Sequence, residues 1–164
     1  ACDLLHADDT PIRVLDPAKR QGELGKGVKE GRIWTYVRDQ RPWAGAAPPA
    51  AVYYFSADRK GEHPQGHLKA SKGILQADAY GGFKKLYQPG PDATAQFREA
   101  ACWAHLRRDF HDVWKTAQSE IAKEALERIG ALYYIEKQIN GPAADERHAV
   151  VPTHNSPKVE LFKE

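Results

Sequence analysis

Two short apolar runs in this chain each deliver a single acid: "LLHAD" closes on Asp8 and "GILQAD" closes on Asp78. If the strands that carry them are neighbours, the two carboxylates repel each other unless positive charge stands between them. A divalent metal is the usual remedy, since Mg²⁺ prefers oxygen ligands, keeps several waters and is held by one or two carboxylates plus substrate phosphate. Two such ions about 3.5–4 Å apart can activate an attacking oxygen and steady the leaving one in an in-line displacement at phosphorus. The plainer reading of a strand-terminal Asp is a turn residue or a helix cap.

Other residues could do chemistry as well. In "CWAHLRRDF", Cys102 and His105 have the two-residue gap of many metal sites, but no second pair at ligand spacing completes a tetrahedral zinc shell. Packing alone would give a buried Cys102 and Trp103 with a capping or hydrogen-bonded His105. Arg107 and Arg108 offer forked guanidiniums suited to phosphate, or they are an ordinary exposed helix start. Arg59, Lys60 and His63, in "DRKGEH", could add contacts that position a nucleic-acid backbone without reading bases. Lys19, Arg20, Lys26 and Lys29 sit in a charged, Gly-rich segment and are read as keeping a loop solvated.

Composition bounds the possibilities. With 24 Lys and Arg against 22 Asp and Glu, the net charge of +2 is too small to announce a nucleic-acid partner through bulk electrostatics, so any basic surface must be local. A chain of 164 residues suffices for one domain burying roughly 70% of its unfolded surface. The expected organisation is a core over 1–140 and a polar tail, or the start of a further element, over 141–164. Cys2 and Cys102 cannot build a disulfide framework and fit a reducing, cytoplasmic setting. No stretch approaches the roughly 18 apolar residues of a membrane span, and no signal-peptide layout opens the chain. The absence of Met and the early apolar run predict a piece excised from a longer protein.

The elements that must position these groups follow from periodicity. "LLHAD" (4–8) and "PIRVL" (11–15) are expected to flank a bend at Thr10-Pro11, followed by an exposed loop over 16–31. "RIWTYVRD" (32–39) alternates Ile33, Thr35 and Val37 against Trp34, Tyr36 and Arg38, as a half-buried strand does. "AVYYFSADR" (51–59) is the third strand, 61–71 a short helical crossover, and 73–78 the fourth strand. "GGFKKLYQ" forms a helical turn, and "FREAACWAHL" a fifth strand running into a helix. A long helix spans 119–139, with Ile121, Ala125, Ile129, Leu132, Ile135 and Ile139 at steps of three and four.

Three sequential strands are naturally antiparallel, and a strand reached through a helix is naturally parallel, so the sheet should be mixed. The expected class is α/β: a five-stranded mixed sheet flanked by helices, in an order that resembles ribonuclease-H-like folds. In that architecture the first and fourth strands are neighbours, which brings Asp8 beside Asp78.

Five blocks in order, "LHADDTPIRVL", "GRIWTYVRD", "SADRKGEHP", "GILQADAYGGF" and "CWAHLRRDF", resemble the catalytic core of bacterial insertion-sequence transposases of the sixty-six family, of the DDE class. The resemblance places the first catalytic acid on Asp8, with Asp9 in a more variable acidic position, and the second on Asp78. It implies metal-dependent DNA cleavage and strand transfer: water attacks a phosphodiester at the element's end, and the freed 3′ hydroxyl then attacks target DNA. The implied cofactors are two Mg²⁺ (or Mn²⁺) ions, and the implied partner is DNA, at element ends and target, bound by a homo-oligomer. It also implies that the Cys-x-x-His motif, with His105, supports the site or its DNA. The sequence departs from the family where the third acid is expected, in a later Asn-Asn-x-x-Glu-Arg block that this chain lacks. Glu136 is the internal candidate for that role, against its reading as a solvated or interdomain helix residue. Two alternatives remain: a non-catalytic nucleic-acid-binding module of the same fold, and a hydrolase acting on RNA in a hybrid, which nothing beyond the strand order favours.

Overall fold

The computed structural model describes residues 3–16, 27–90, 94–143, 145–147 and 149. The chain forms two compact units: the first comprises 1–38 and 50–101, the second 39–49 and 102–164. The core expected over 1–140 thus draws on both, and most of the expected tail lies outside the described residues, as do Lys19, Arg20, Lys26 and Cys2.

The first unit contains strands β1 (Asp3–Leu15), β2 (Val28–Arg38), β3 (Ala50–Ser56), β4 (Gly73–Ala77) and β5 (Phe97–Ala101) in one sheet of order β3-β2-β1-β4-β5. β1 pairs antiparallel with β2 and β2 antiparallel with β3, whereas β1 and β4, and β4 and β5, are parallel. This is the mixed five-stranded α/β sheet that the sequence predicts. The parallel step from β3 to β4 is made through helix α1 (Glu62–His67), and that from β4 to β5 through a 3₁₀ turn (Gly81–Phe83) leading into α2 (Lys84–Tyr87).

β1 is one strand of 13 residues rather than two runs about a bend. Proline lacks the donor for a ladder bond and is tolerated where no partner needs it. β4 pairs with β1 only from Asp3 to His6, so beyond that point β1 has β2 alone beside it, and Pro11 breaks no rung toward β4. The expected loop over 16–31 is likewise shorter, because Val28, Lys29, Glu30 and Gly31 continue β2 and pair with Val14, Arg13 and Ile12 among others. Gly31 is needed there: a Cβ at this position would lie 2.7 Å from the Phe55 ring and 3.0 Å from the Ser56 carbonyl oxygen.

Of the two faces of β2, the aromatic one is buried. Trp34 and Tyr36 join Ala7, Leu75, Ala77 and Phe97 from neighbouring strands, and Leu68, Phe83 and Leu86 from the helical connections close over them. The Trp34 indole is wholly enclosed, and its Nε1–H donates to Ser56 Oγ at 2.7 Å. Burial of so large a side chain drives the sheet to pack on this face, and the hydrogen bond avoids the cost of an orphaned donor.

His67, at the end of α1, stacks on the Tyr54 ring at 4.1 Å and lies 3.0 Å from the Tyr36 hydroxyl through Nδ1. Burial, and secondarily the neighbouring His63, hold its pKa below the ordinary imidazole value. The unfolded chain therefore takes up a proton that the folded chain resists. The penalty is absent well above about pH 6.5 and grows as pH falls through that value, so stability rises with pH across the window. We expect urea unfolding to show lower stability at about pH 5.5 than at about pH 7.5, with the difference reduced in His67→Gln. An equal pH dependence in that variant would remove His67 as its source.

The second unit is built on α3 (Trp103–Ala117) and α4 (Glu120–Gln138), which pack against each other. Ser119 caps α4, its Oγ accepting the Ala122 N–H at 3.3 Å. Ala122, Ala125, Ile129, Ile135 and Ile139 form the buried stripe, while Ile121, expected on it, is 78% exposed: it shares the side of Ile139 but stands in the first turn of α4, at the helix end. Arg147 folds back to donate to the carbonyl oxygens of Pro42 and Ile139 at 3.2 and 2.7 Å.

Candidate functional site

The site is set by where β4 stops. β1 and β4 run side by side in parallel, with His6 level with Gln76. Two residues further along each chain stand Asp8, on β1 and level with Thr35 of β2, and Asp78, immediately after β4 ends at Ala77. The neighbouring strands expected from the sequence are neighbours, and both acids belong to the first unit. The Asp8 side chain is exposed and that of Asp78 is 22% exposed. Asp78 Oδ1 accepts the Tyr80 N–H at 3.1 Å, the local bond with which an Asp organises the turn that follows it.

The structure adds a third acid that the sequence reading placed in a variable position. Alternation along β1 puts Leu5, Ala7 and Asp9 on the core face, and Asp9 stands opposite Trp34 with a fully enclosed side chain. A carboxylate can be held there only if its charge is met. Arg59, in the loop after β3, meets it: Nε donates to Oδ1 and Oδ2 at 3.0 and 2.9 Å, and Nη2 donates to Oδ1 at 2.7 Å. Arg32 of β2 adds Nη1 to Oδ2 at 3.2 Å. Arg59 Nη2 also reaches Asp78 Oδ2 at 3.3 Å, and its guanidinium carbon lies 3.9 Å from the centre of the Tyr80 ring. One side chain thus links the acid of the core face to the acid at the end of β4. Its hydrogen bonds to Asp9 raise the Arg59 pKa above its usual value, with burial opposing and the charges of Asp9 and Asp78 assisting.

The other residues singled out in the sequence fall into two places. Lys60 lies beside Arg59, where its Nζ pairs with Asp58 at 3.4 Å; His63 Nε2 is 2.6 Å from the same carboxylate and is the leading cause of that acid's lowered pKa. His105, Arg107 and Arg108 are on α3, in the second unit, where both arginines are exposed. Cys102 precedes the helix, and its carbonyl oxygen accepts the His105 N–H at 3.1 Å, a first-turn backbone bond; the packing alternative expected Cys102 and Trp103 buried, but Cys102 is half-buried and Trp103 is 38% exposed. Glu136 is on α4 of that unit, its Oε1 accepting from Arg147 Nη2 at 2.6 Å.

Asp8 and Asp78 present oxygen donors of the kind that Mg²⁺ or Mn²⁺ takes. Among the described residues no group of three or more His, Cys, Asp or Glu is gathered as a metal cage would need. Also among the described residues, no helix is long and apolar enough to cross a membrane.

Two uncharacterized proteins of Sinorhizobium fredii, y4hP and y4jD, are 44% and 33% identical to this chain; each match covers 96% of the chain, and 29% and 30% of the respective relative. A third, the uncharacterized protein y4qI of the same organism, is 34% identical over 86% of the chain and 25% of its own length. The chain thus spans under a third of the length of the curated relatives it matches. No solved structure matches it significantly. The family model described as Transposase IS66 family matches residues 1–164, from the first strand through both acids to the last residue, and the chain belongs to that family.

Proposed function

We propose that this chain is the part of a DDE transposase that supplies two of its three catalytic acids, Asp8 and Asp78, on a ribonuclease-H-like sheet. Membership of the transposase family supports the reading, as does the strand order with its antiparallel first three strands and parallel last two. The observation that carries it is the placing of Asp8 and Asp78 two residues beyond a paired position on adjacent parallel strands. Open α/β sheets bind ligands beyond the carboxyl ends of such strands.

In this reading Asp8 and Asp78 hold Mg²⁺ or Mn²⁺, two ions when substrate phosphate completes the shells. The chemistry such ions supply is neutralisation of charge at the phosphate and activation of the attacking oxygen. Asp78 is aimed by the Tyr80 N–H, which fixes one carboxylate oxygen and leaves the other to Arg59 or a ligand. The exposed Arg107 and Arg108 serve as phosphate contacts to DNA, with His105 in the motif that supports them. Because Arg147 already engages Glu136, we assign the third acid to a later segment of the parent protein. The parent acts on DNA as a homo-oligomer, in the cytoplasm.

The alternative, a non-catalytic nucleic-acid-binding module, draws on Arg59, whose charge already answers Asp78. Thermal melting with and without Mn²⁺ separates the two. At an Mn²⁺ concentration about 100 times the Kd, binding adds about 2.7 kcal/mol to the folded state, a shift of several degrees. That rise is expected in the unmodified chain, and its loss in the Asp8→Asn, Asp78→Asn double variant. No rise in either favours the binding module.

A further inference from the structure

We propose that Arg59 is a positioning residue that holds Asp78 in the metal-free state and competes with a divalent cation for that carboxylate. The inference rests on the reading of Asp78 as a metal ligand given above. It starts from an asymmetry. Arg59 makes three hydrogen bonds of 2.7–3.0 Å to Asp9 and one of 3.3 Å to Asp78. Asp9 is therefore its anchor and Asp78 its looser partner. Arg59 Nη2 serves both acids, and the Asp9 side chain is fully enclosed whereas that of Asp78 is 22% exposed, so the longer contact can open by a turn of the Asp78 carboxylate while the guanidinium stays on Asp9.

The two oxygens of Asp78 are assigned differently. Oδ1 takes the Tyr80 N–H, an interaction that a bound cation need not disturb. Oδ2 takes Arg59 Nη2, a permanent positive charge that repels a second cation and fills one of the directions it would approach from. Tyr80 supports both, since its ring carries the Arg59 guanidinium and its backbone holds Asp78. In this arrangement Arg59 relieves the repulsion between the acids until an ion arrives, then yields Asp78 and remains on Asp9. The site stays folded when empty, at a cost in metal affinity.

The test is a calorimetric titration with Mn²⁺ alone of the 164-residue chain and its Arg59→Gln, Arg59→Lys and Asp78→Asn variants. Each is melted in metal-free buffer as a control for folding. Removing one full charge beside a partly exposed ligand should lower the Kd for Mn²⁺ by about tenfold in Arg59→Gln, with Arg59→Lys close to the unmodified chain. Should Arg59→Gln fail to fold through the loss of its bonds to Asp9, the Asp9→Asn, Arg59→Gln pair removes both charges and still frees Asp78 Oδ2, and a smaller gain in the same direction is expected of it. A purely structural Arg59 would not produce a gain in affinity that lysine reverses. Equal or weaker Mn²⁺ binding in the glutamine variant, with binding lost in Asp78→Asn, would overturn the competition and leave the site standing. Binding that survives Asp78→Asn, or that no variant shows, would overturn the site and this inference with it.

Discussion

Asp9→Ala is expected to destabilise the chain by about 3 kcal/mol, at the lower end of what removal of one partner from a buried ion pair costs. The Asp9 side chain has no solvent exposure and accepts hydrogen bonds from Arg59 and Arg32. Without it, Arg59 keeps only its longer bond to Asp78 and Arg32 only its bond to Glu30, and both guanidiniums lose an acceptor at the edge of the core. Arg32 is 19% and Arg59 37% exposed, so water recovers part of the loss and keeps the cost from the upper end. Against a typical domain stability of about 5–15 kcal/mol this is a large fraction. Urea unfolding followed by circular dichroism gives the value directly. The double variant Asp9→Ala, Arg59→Ala should cost less than the sum of the two single changes, because the charge left behind by each is removed by the other. A cost below about 1 kcal/mol would put the interaction with exposed salt bridges and deny Asp9 its role as anchor.

Alternation along β2 marked a half-buried strand, and burial of Trp34 and Tyr36 resolved which of its faces is the core, since the indole and phenol rings hide far more apolar surface than Thr35 or Val37. The order of strands, the helical crossovers and the long α4 were legible because each rests on local periodicity. The continuity of β1 through Pro11 was not, because it depends on β4 ending its pairing at His6. Nor was the exposure of Ile121, which periodicity places on the buried side but which stands in the first turn of α4, at the helix end.

At the site, the neighbouring strands of Asp8 and Asp78 followed from topology. The pattern Leu5, Ala7, Asp9 carried the signal that Asp9 faces inward, but its partners stand 23 and 50 residues away and only the folded sheet brings them together. Arg59 was read as a surface contact to DNA for the same reason: a basic residue in a polar loop declares no partner. Its engagement with Asp9 and Asp78 changes the expected effect of altering Asp78. Repulsion between the acids is already answered, so removing Asp78 gives up bonds to Arg59 and Tyr80 rather than relieving strain.

The largest functional effect is expected in the full-length parent. If Asp78 holds an ion that stabilises charge at phosphorus, its neutral isostere should forfeit about 4 kcal/mol of transition-state stabilisation, or about 10³ in rate. Asn keeps an oxygen to accept the Tyr80 N–H, so the turn and the sheet survive the change. DNA binding should persist as well, because Asp78 repels rather than attracts the phosphate backbone. The decisive measurement is single-turnover nicking of DNA bearing the parent's own element ends, in Mg²⁺, by the parent and its Asp78→Asn variant. Cleavage by the parent is expected, with a variant that folds and binds DNA but cleaves about 10³-fold more slowly. Cleavage by the variant within about tenfold of the parent would contradict the assignment of Asp78 to the chemistry.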